Sequence, residues 1–116
     1  MNKDFCAMNR NRMNFCYKLV SEFEGKCDGV RHHLVFIYLN ASMQLIPLEQ
    51  AKCLAIELSN RFVDNDGNPH PLPVEDIDSA IRSICRVGVN GYKMSDKYIC
   101  DYLHIDYEYF RMLYTA

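Results

Sequence analysis

Apolar residues along this chain recur mostly at three- and four-residue steps, the spacing that aligns side chains on one face of an α-helix. In the first segment Met13, Cys16, Tyr17, Val20 and Phe23 form one such stripe. The turn Gly25-Lys26-Cys27-Asp28-Gly29 should end it, because glycine readily takes the left-handed backbone that closes helices. From about Val30 to Met43 the apolar positions wrap most of the way round, which predicts a central helix buried on several sides. A buried strand over 34–39 competes. Helix is the better fit, because the pattern continues through Asn40, Ala41 and Met43 before Pro47 interrupts it.

Pro47 suits a first helical position, and Leu48, Ala51, Leu54/Ala55, Leu58 and Phe62 mark one face of the third helix. The turn formers of Asp64-Asn65-Asp66-Gly67-Asn68-Pro69-His70-Pro71 then predict an exposed loop. Pro73 begins a fourth helix with Glu75, Asp76 and Asp78 in its opening turns, where the helix dipole favours acids. Its inward face is Val74, Ile77, Ala80/Ile81 and Ile84/Cys85. After Gly88-Val89-Asn90-Gly91 come two short helices. Ser95 is the expected cap of the first, with Ile99, Tyr102 and Leu103 inward; Asp106 caps the second, Tyr107 to about Tyr114. The short junction at His104-Ile105 has helix-turn-helix spacing. The expected fold is therefore all-α: one domain over 1–116, a compact bundle of about six helices ending in a helix-turn-helix-like corner. Its parts are an N-terminal helix and turn (1–29), a helical core (30–87) and the corner (92–116).

Several runs, in order, resemble a known module. Arg31 precedes the apolar helix ending Ile37-Tyr38-Leu39-Asn40. Glu57-Leu58-Ser59-Asn60-Arg61-Phe62 closes the next helix, and Pro71-Leu72-Pro73-Val74-Glu75-Asp76-Ile77 opens the one after. Tyr92-Lys93-Met94-Ser95 then leads into Ile99-Cys100-Asp101-Tyr102-Leu103-His104-Ile105-Asp106. Over about residues 30–110 this looks like the primase-C-terminal-type helical module, with trailing helix-turn-helix, of replication proteins from plasmids and integrative elements of Gram-positive bacteria. The resemblance implies a DNA-associated accessory module, usually appended to a polymerising or strand-nicking domain. Residues 1–29 are too few to supply such a domain, and the module offers no catalytic residues to carry over.

Composition narrows the picture. Apolar residues make up 49% of the 116 positions, ample for a packed core without a metal or disulfide staple. The longest apolar run, Leu34 to Leu39, is far too short to span a bilayer, and the N-terminal residues lack the apolar stretch of a secretory signal. A cytoplasmic protein without membrane attachment is expected. The six cysteines, at 6, 16, 27, 53, 85 and 100, form no Cys-x-x-Cys pair. With Cys16, Cys53, Cys85 and Cys100 inside periodic apolar segments, they read as small buried hydrophobes in a reducing compartment. No metal or other cofactor is expected. Asp64, Asp66, Asn68 and Glu75 match oxygen-ligand positions of a calcium loop, but Pro69 stands where that loop requires glycine. His32, His33, His70 and His104 have no ligand spacing, and no cysteine or histidine is placed in a recognisable nucleophile arrangement. The expectation is a non-enzymatic protein.

Net charge is −2, so any basic face must be assembled by the fold. Arg31, Arg82, Arg86, Lys93 and Lys97 are the candidate phosphate contacts, and Tyr92 the candidate base-stacking ring. Arg82 and Arg86 share a helix face, where pairing with Asp78 and Glu75 is the competing expectation. The last helix carries Asp106 and Glu108 beside a single arginine, Arg111, a poor set for reading a major groove. Six aromatic rings lie within 98–114, and Tyr107, Tyr109, Phe110 and Tyr114 are the candidate protein interface. The leading expectation is DNA binding, single- or double-stranded, in replication of a mobile element, with a replication primase, helicase or other nucleic-acid enzyme as the candidate protein partner. The alternative is a small adaptor or inhibitor that binds a nucleic-acid enzyme of host, plasmid or phage.

Overall fold

The computed structural model describes residues 3–88 and 90–115; Met1, Asn2, Val89 and Ala116 lie outside the described residues. Six helices follow one another: α1 Lys3–Glu22, α2 Arg31–Ser42, α3 Leu48–Ser59, α4 Val74–Val87, α5 Asp96–Leu103 and α6 Tyr107–Thr115. The molecule measures 43 × 33 × 19 Å. Its thin dimension is close to two helix diameters, so the helices form two layers.

Helix α2 is the hub. It touches α1, α3, α4 and α5, while α6 closes the bundle against α1 and α5. Eight consecutive-phase positions of α2 are buried, from Leu34 and Val35 to Ala41 and Ser42, which accounts for an apolar pattern that wraps the helix. The strand alternative over 34–39 is thereby excluded. Around α2 the shared core takes Phe15, Cys16 and Leu19 from α1, Leu58 from α3, Ile77 and Ile84 from α4, Ile99 from α5 and Phe110 from α6.

The proline and cap signals operate as the chemistry requires. Pro47 and Pro73 stand one residue ahead of α3 and α4, with φ −58° at both, so the ring pre-sets the turn into each helix. Ser95 caps α5, its hydroxyl accepting from the Tyr98 amide at 3.0 Å. Two helices close through a left-handed residue that is not glycine. Glu24 (φ 53°) ends α1 and His104 (φ 58°) ends α5. In each case the next amide reaches back five residues: Gly25 to the Val20 carbonyl at 2.9 Å and Ile105 to the Cys100 carbonyl at 3.0 Å. This double closure makes the α5–α6 junction tight. Gly25 is required for another reason: a Cβ there would collide with the Arg61 carbonyl.

Three expectations about burial need correction. Cys53 and Cys85 are exposed, because α3 and α4 turn their outer faces to solvent at those positions. Leu48 and Val74, at the starts of the same helices, are also exposed. Phe110, expected at an interface, has no exposed surface. Its ring lies 4.7 Å from that of Phe15 and 5.0 Å from that of Tyr114, and Tyr109 and Tyr114 pack partly buried against the same core. Of that aromatic group Tyr107 alone is exposed.

The Cys16 thiol is pushed up to about 12 by complete burial, and burial also raises Cys27 and Cys100. Brief alkylation of the native protein, read by mass spectrometry, should therefore modify Cys53 and Cys85 while sparing Cys16, Cys27 and Cys100 until unfolding. Phe110→Ala should cost about 3–5 kcal/mol in urea denaturation, and Tyr107→Ala under about 1 kcal/mol.

Candidate nucleic-acid interface

Two buried polar residues organise one end of the molecule. Arg12, on α1, is 5% exposed, and its Nη2 donates to the Met94 carbonyl at 2.6 Å and to Asp96 Oδ1 at 3.4 Å. Asn40, on α2, holds the Tyr92 backbone at both groups: Oδ1 accepts from the Tyr92 amide at 2.8 Å, and Nδ2 donates to its carbonyl at 2.9 Å. The 90–96 connection is thus pinned to two helices distant in sequence. Gly91 (φ 64°) lies against this clamp, where a Cβ would come within 2.5 Å of Asn40 Oδ1.

A cavity of about 670 Å³ opens beside the pinned connection. Asn9 and Arg12 line it from α1, Tyr92, Lys93 and Met94 from the connection, and Tyr98 from α5. Asn9 and Arg12 also each hold one donor atom, Nδ2 and Nε, that is sealed from solvent with no hydrogen-bond partner among the described residues. Such groups are rare in folded proteins, since each forfeits its hydration without compensation. Tyr92 and Tyr98 remain 38% and 49% exposed.

These rings belong to a longer aromatic belt. The Tyr92 ring is 5.2 Å from Phe36, Tyr98 stacks on Tyr102 at 5.5 Å, and Tyr102 stacks on His33 at 3.9 Å. The His33 Nδ1 also bonds to the Tyr102 carbonyl at 2.9 Å. Burial, then the neighbouring Tyr98 and Tyr92, raises the Tyr102 hydroxyl above its ordinary range. The hydroxyl therefore stays neutral at physiological pH. Rings backed in this way hold their orientation, which suits flat contact with another π-system.

The structure sorts the candidate cations into three groups. Lys93 lines the cavity, and Lys97 projects into solvent one residue ahead of Tyr98. Arg82 and Arg86 are exposed on α4 but line no part of this cavity. No ion pair of either with Asp78 or Glu75 forms among the described residues, and Asp78 instead binds Lys52 of α3 at 2.8 Å. Arg31 is elsewhere. It donates to the His70 carbonyl at 3.0 Å and sits 3.6 Å from Asp28, clamping the 60–73 loop at the opposite end of α2. Nine residues of helix separate it from Asn40, roughly 13 Å of rise.

Asn9, Arg12 and Asn40 were missed in the sequence pattern, although a signal exists. Asn9 lies seven residues and Arg12 four residues before Cys16, helical steps that bring both to the side of α1 that the apolar stripe marks. A polar residue in core phase marks a buried hydrogen-bonding role or a site.

The loop tested as a calcium site has an internal explanation. Asp64 Oδ1 accepts from the amides of Asp66 and Asn68 at 2.9 and 3.0 Å. These bonds, that of Asn68 foremost, hold its carboxyl below the usual range. No group of three or more metal-ligating side chains occurs among the described residues, and none of the described helices is long and apolar enough to cross a membrane. No protein-family model matches the chain, and comparison with curated proteins and with solved structures yields no match.

If Asn40 is what fixes the connection, Asn40→Ala should lower stability by about 2 kcal/mol, two net hydrogen bonds. Hydrogen exchange at the Tyr92 amide should accelerate in that variant beyond the change at core amides of α2.

Proposed function

We propose that this chain is a non-enzymatic binder of single-stranded DNA that serves replication of a mobile element. The observation carrying the reading is the joint placement of exposed Tyr92 and Tyr98 with Lys93 around one cavity, with Lys97 exposed one residue before Tyr98. Bases stack on aromatic faces whatever their sequence, at about 1–3 kcal/mol each, and lysines neutralise the phosphates that follow. The rings provide the first contact, and the ammonium groups flanking them the second.

A single strand suits this surface better than a duplex. In a duplex the base faces are already stacked on one another, so Tyr92 and Tyr98 would have nothing to cover. The second helix of the corner supplies no groove reader either: Asp106, Glu108 and Arg111 are its exposed charges, and the two acids repel phosphate. The likeness to the primase-C-terminal-type module supports the same assignment and adds the expectation of a primase or helicase alongside. The protein-adaptor alternative loses weight because Phe110, Tyr109 and Tyr114 are spent on the core, leaving Tyr107 and Met112 exposed on α6.

A fluorescein-labelled oligothymidine should bind at ~50 mM salt and weaken steeply as salt rises. Tyr98→Ala should cost about 1–3 kcal/mol of binding. Removing Lys93 and Lys97 together should flatten the salt dependence, whereas Arg31→Ala should leave affinity unchanged. Salt-insensitive or absent binding would refute the proposal.

A further inference from the structure

Helix α1 packs against α2 and α6, yet one of its faces stays open. Cys6, Arg10, Met13, Tyr17 and Ser21 recur at steps of four, three, four and four residues, which sets them on one side of the helix. None of the five is buried. Two hollows follow one another along this side. Cys6, Arg10 and Met13 line the first, of about 430 Å³, with Leu45 and Ile46 as its other wall. Tyr17 and Ser21 line the second, of about 490 Å³, with Arg61 and Leu113 beside them. From Cys6 to Ser21 the helix rises roughly 22 Å.

Two guanidinium groups stand on this mostly apolar face. That of Arg61 lies over the Tyr17 ring, 4.8 Å from its centroid, a contact that holds its plane and leaves its N–H edge for an acceptor. Arg10 is exposed seven residues before Tyr17. Neither guanidinium has an ion pair or a hydrogen bond among the described residues. Seven residues of helix set the two positions about 10 Å apart.

Charge and spacing select the partner. A nucleic-acid strand carries unbroken negative charge. Here it would meet Glu22, which lines the second hollow, and Glu57, which after burial is the next cause raising the Tyr17 phenol. The Tyr17 ring is engaged by Arg61 and, at 5.6 Å, by Tyr38, so it is not a free platform for bases. Discrete carboxylates fit better. On an α-helix, positions i and i+7 lie about 10 Å apart on one side, with i+3 and i+4 between them to meet Met13. In an extended segment that span is about three residues, which turns the second carboxylate to the opposite side.

We propose that this face of α1 is a docking groove for an acidic amphipathic helix of a partner protein. Arg10 and Arg61 pair with carboxylates seven residues apart, and Met13, Leu45 and Ile46 receive the apolar side chains. The groove shares no lining residue with the cavity of Tyr92, Lys93 and Tyr98, so it is independent of the strand-binding reading.

The probe is a fluorescein-labelled, Ala-rich helical peptide of about 20 residues, with Glu at i and i+7 and Leu at i+3 and i+4, titrated by anisotropy against the full chain. It should bind about tenfold tighter than the same peptide with Gln in place of both Glu, the gain expected of two partly exposed charge pairs. The version with Lys at both positions should not bind. Arg10→Glu should remove the gain, and replacing one Glu of the peptide by Lys should restore it. Arg61→Glu should behave alike; if it does not fold, Arg61→Gln and the Arg10→Glu result still decide. Both variants should hold labelled dT12 as the wild type does. Equal binding of the Glu, Gln and Lys peptides, no binding of any, or binding of the acidic peptide unmoved by the two charge reversals overturns the docking groove. Loss of dT12 binding in these variants assigns the face to the strand and likewise overturns it.

Discussion

A cation buried inside a small helical protein must keep its partners, and this requirement governs one end of the molecule. The Arg12 guanidinium is almost fully removed from water, and its partners include the Met94 carbonyl, Asp96 and the Tyr114 hydroxyl. Asp96 is itself 41% exposed, so its attraction is partly screened. The charge-assisted bond to Met94 at 2.6 Å therefore carries much of the compensation. Swinging the α5–α6 corner away from α1 would strip both groups from a charge that cannot be left alone in the interior. Asn40 adds a second, neutral restraint on the same stretch of chain. Helices α1 and α2, each more than fifty residues away in sequence, are thus tied to one connection by polar contacts that add to the apolar packing of the bundle.

The opposite end is held differently. Val63 bridges Lys26 on one side and Pro69 on the other, Ser59 Oγ accepts from the Leu72 amide at 2.7 Å, and Arg31, Asp28 and His70 close the surface. These contacts satisfy a long loop within itself and leave no cavity with stranded donors among its described residues. The corner end is the reverse. It has spare donors, exposed rings and exposed lysines, and so keeps capacity for contacts the protein does not make with itself. The corner end thus joins a connection pinned by Arg12 and Asn40 to side chains with contacts to spare, the combination of scaffold and site.

Periodicity was sufficient to read the helices, because each is amphipathic or wholly apolar and because Pro47, Pro73 and Ser95 mark three starts by local chemistry alone. It was less able to say how wide each buried arc is. Phe15 and Leu19 lie off the stripe drawn through Met13, Cys16 and Val20, yet both are buried, since α6 covers a second side of α1. That same packing takes Phe110 into the core. Such coverage depends on tertiary contacts between the two ends of the chain, which no window of neighbouring residues contains. Cys53 and Cys85 fail in the opposite sense: residue type argued for burial, but their helical phase lies outside the faces of α3 and α4 that meet the core. Tyr92 and Lys93 were legible as a pair by adjacency. Asn9, Arg12 and Asn40 were not, because an apolar stripe is recognised by ignoring its polar interruptions.

The near-neutral charge of the chain also takes on a different meaning once these positions are known. A protein that coats polyanions needs an excess of cations over its whole surface, and this one has an excess of carboxylates. Several of those acids are engaged in folding: Asp78 with Lys52, Asp28 with Arg31 and His70, Asp76 with His32, and Asp64 within its own turn. Lys93 and Lys97 have no such partner among the described residues. Among the candidate cations, Lys93 and Lys97 are the ones that stand beside the exposed tyrosines, whereas Arg82 and Arg86 are exposed on α4 away from the cavity. On the proposed reading, two lysines reach few phosphates, so electrostatics alone would give a weak contact and stacking on Tyr92 and Tyr98 would have to supply most of the affinity.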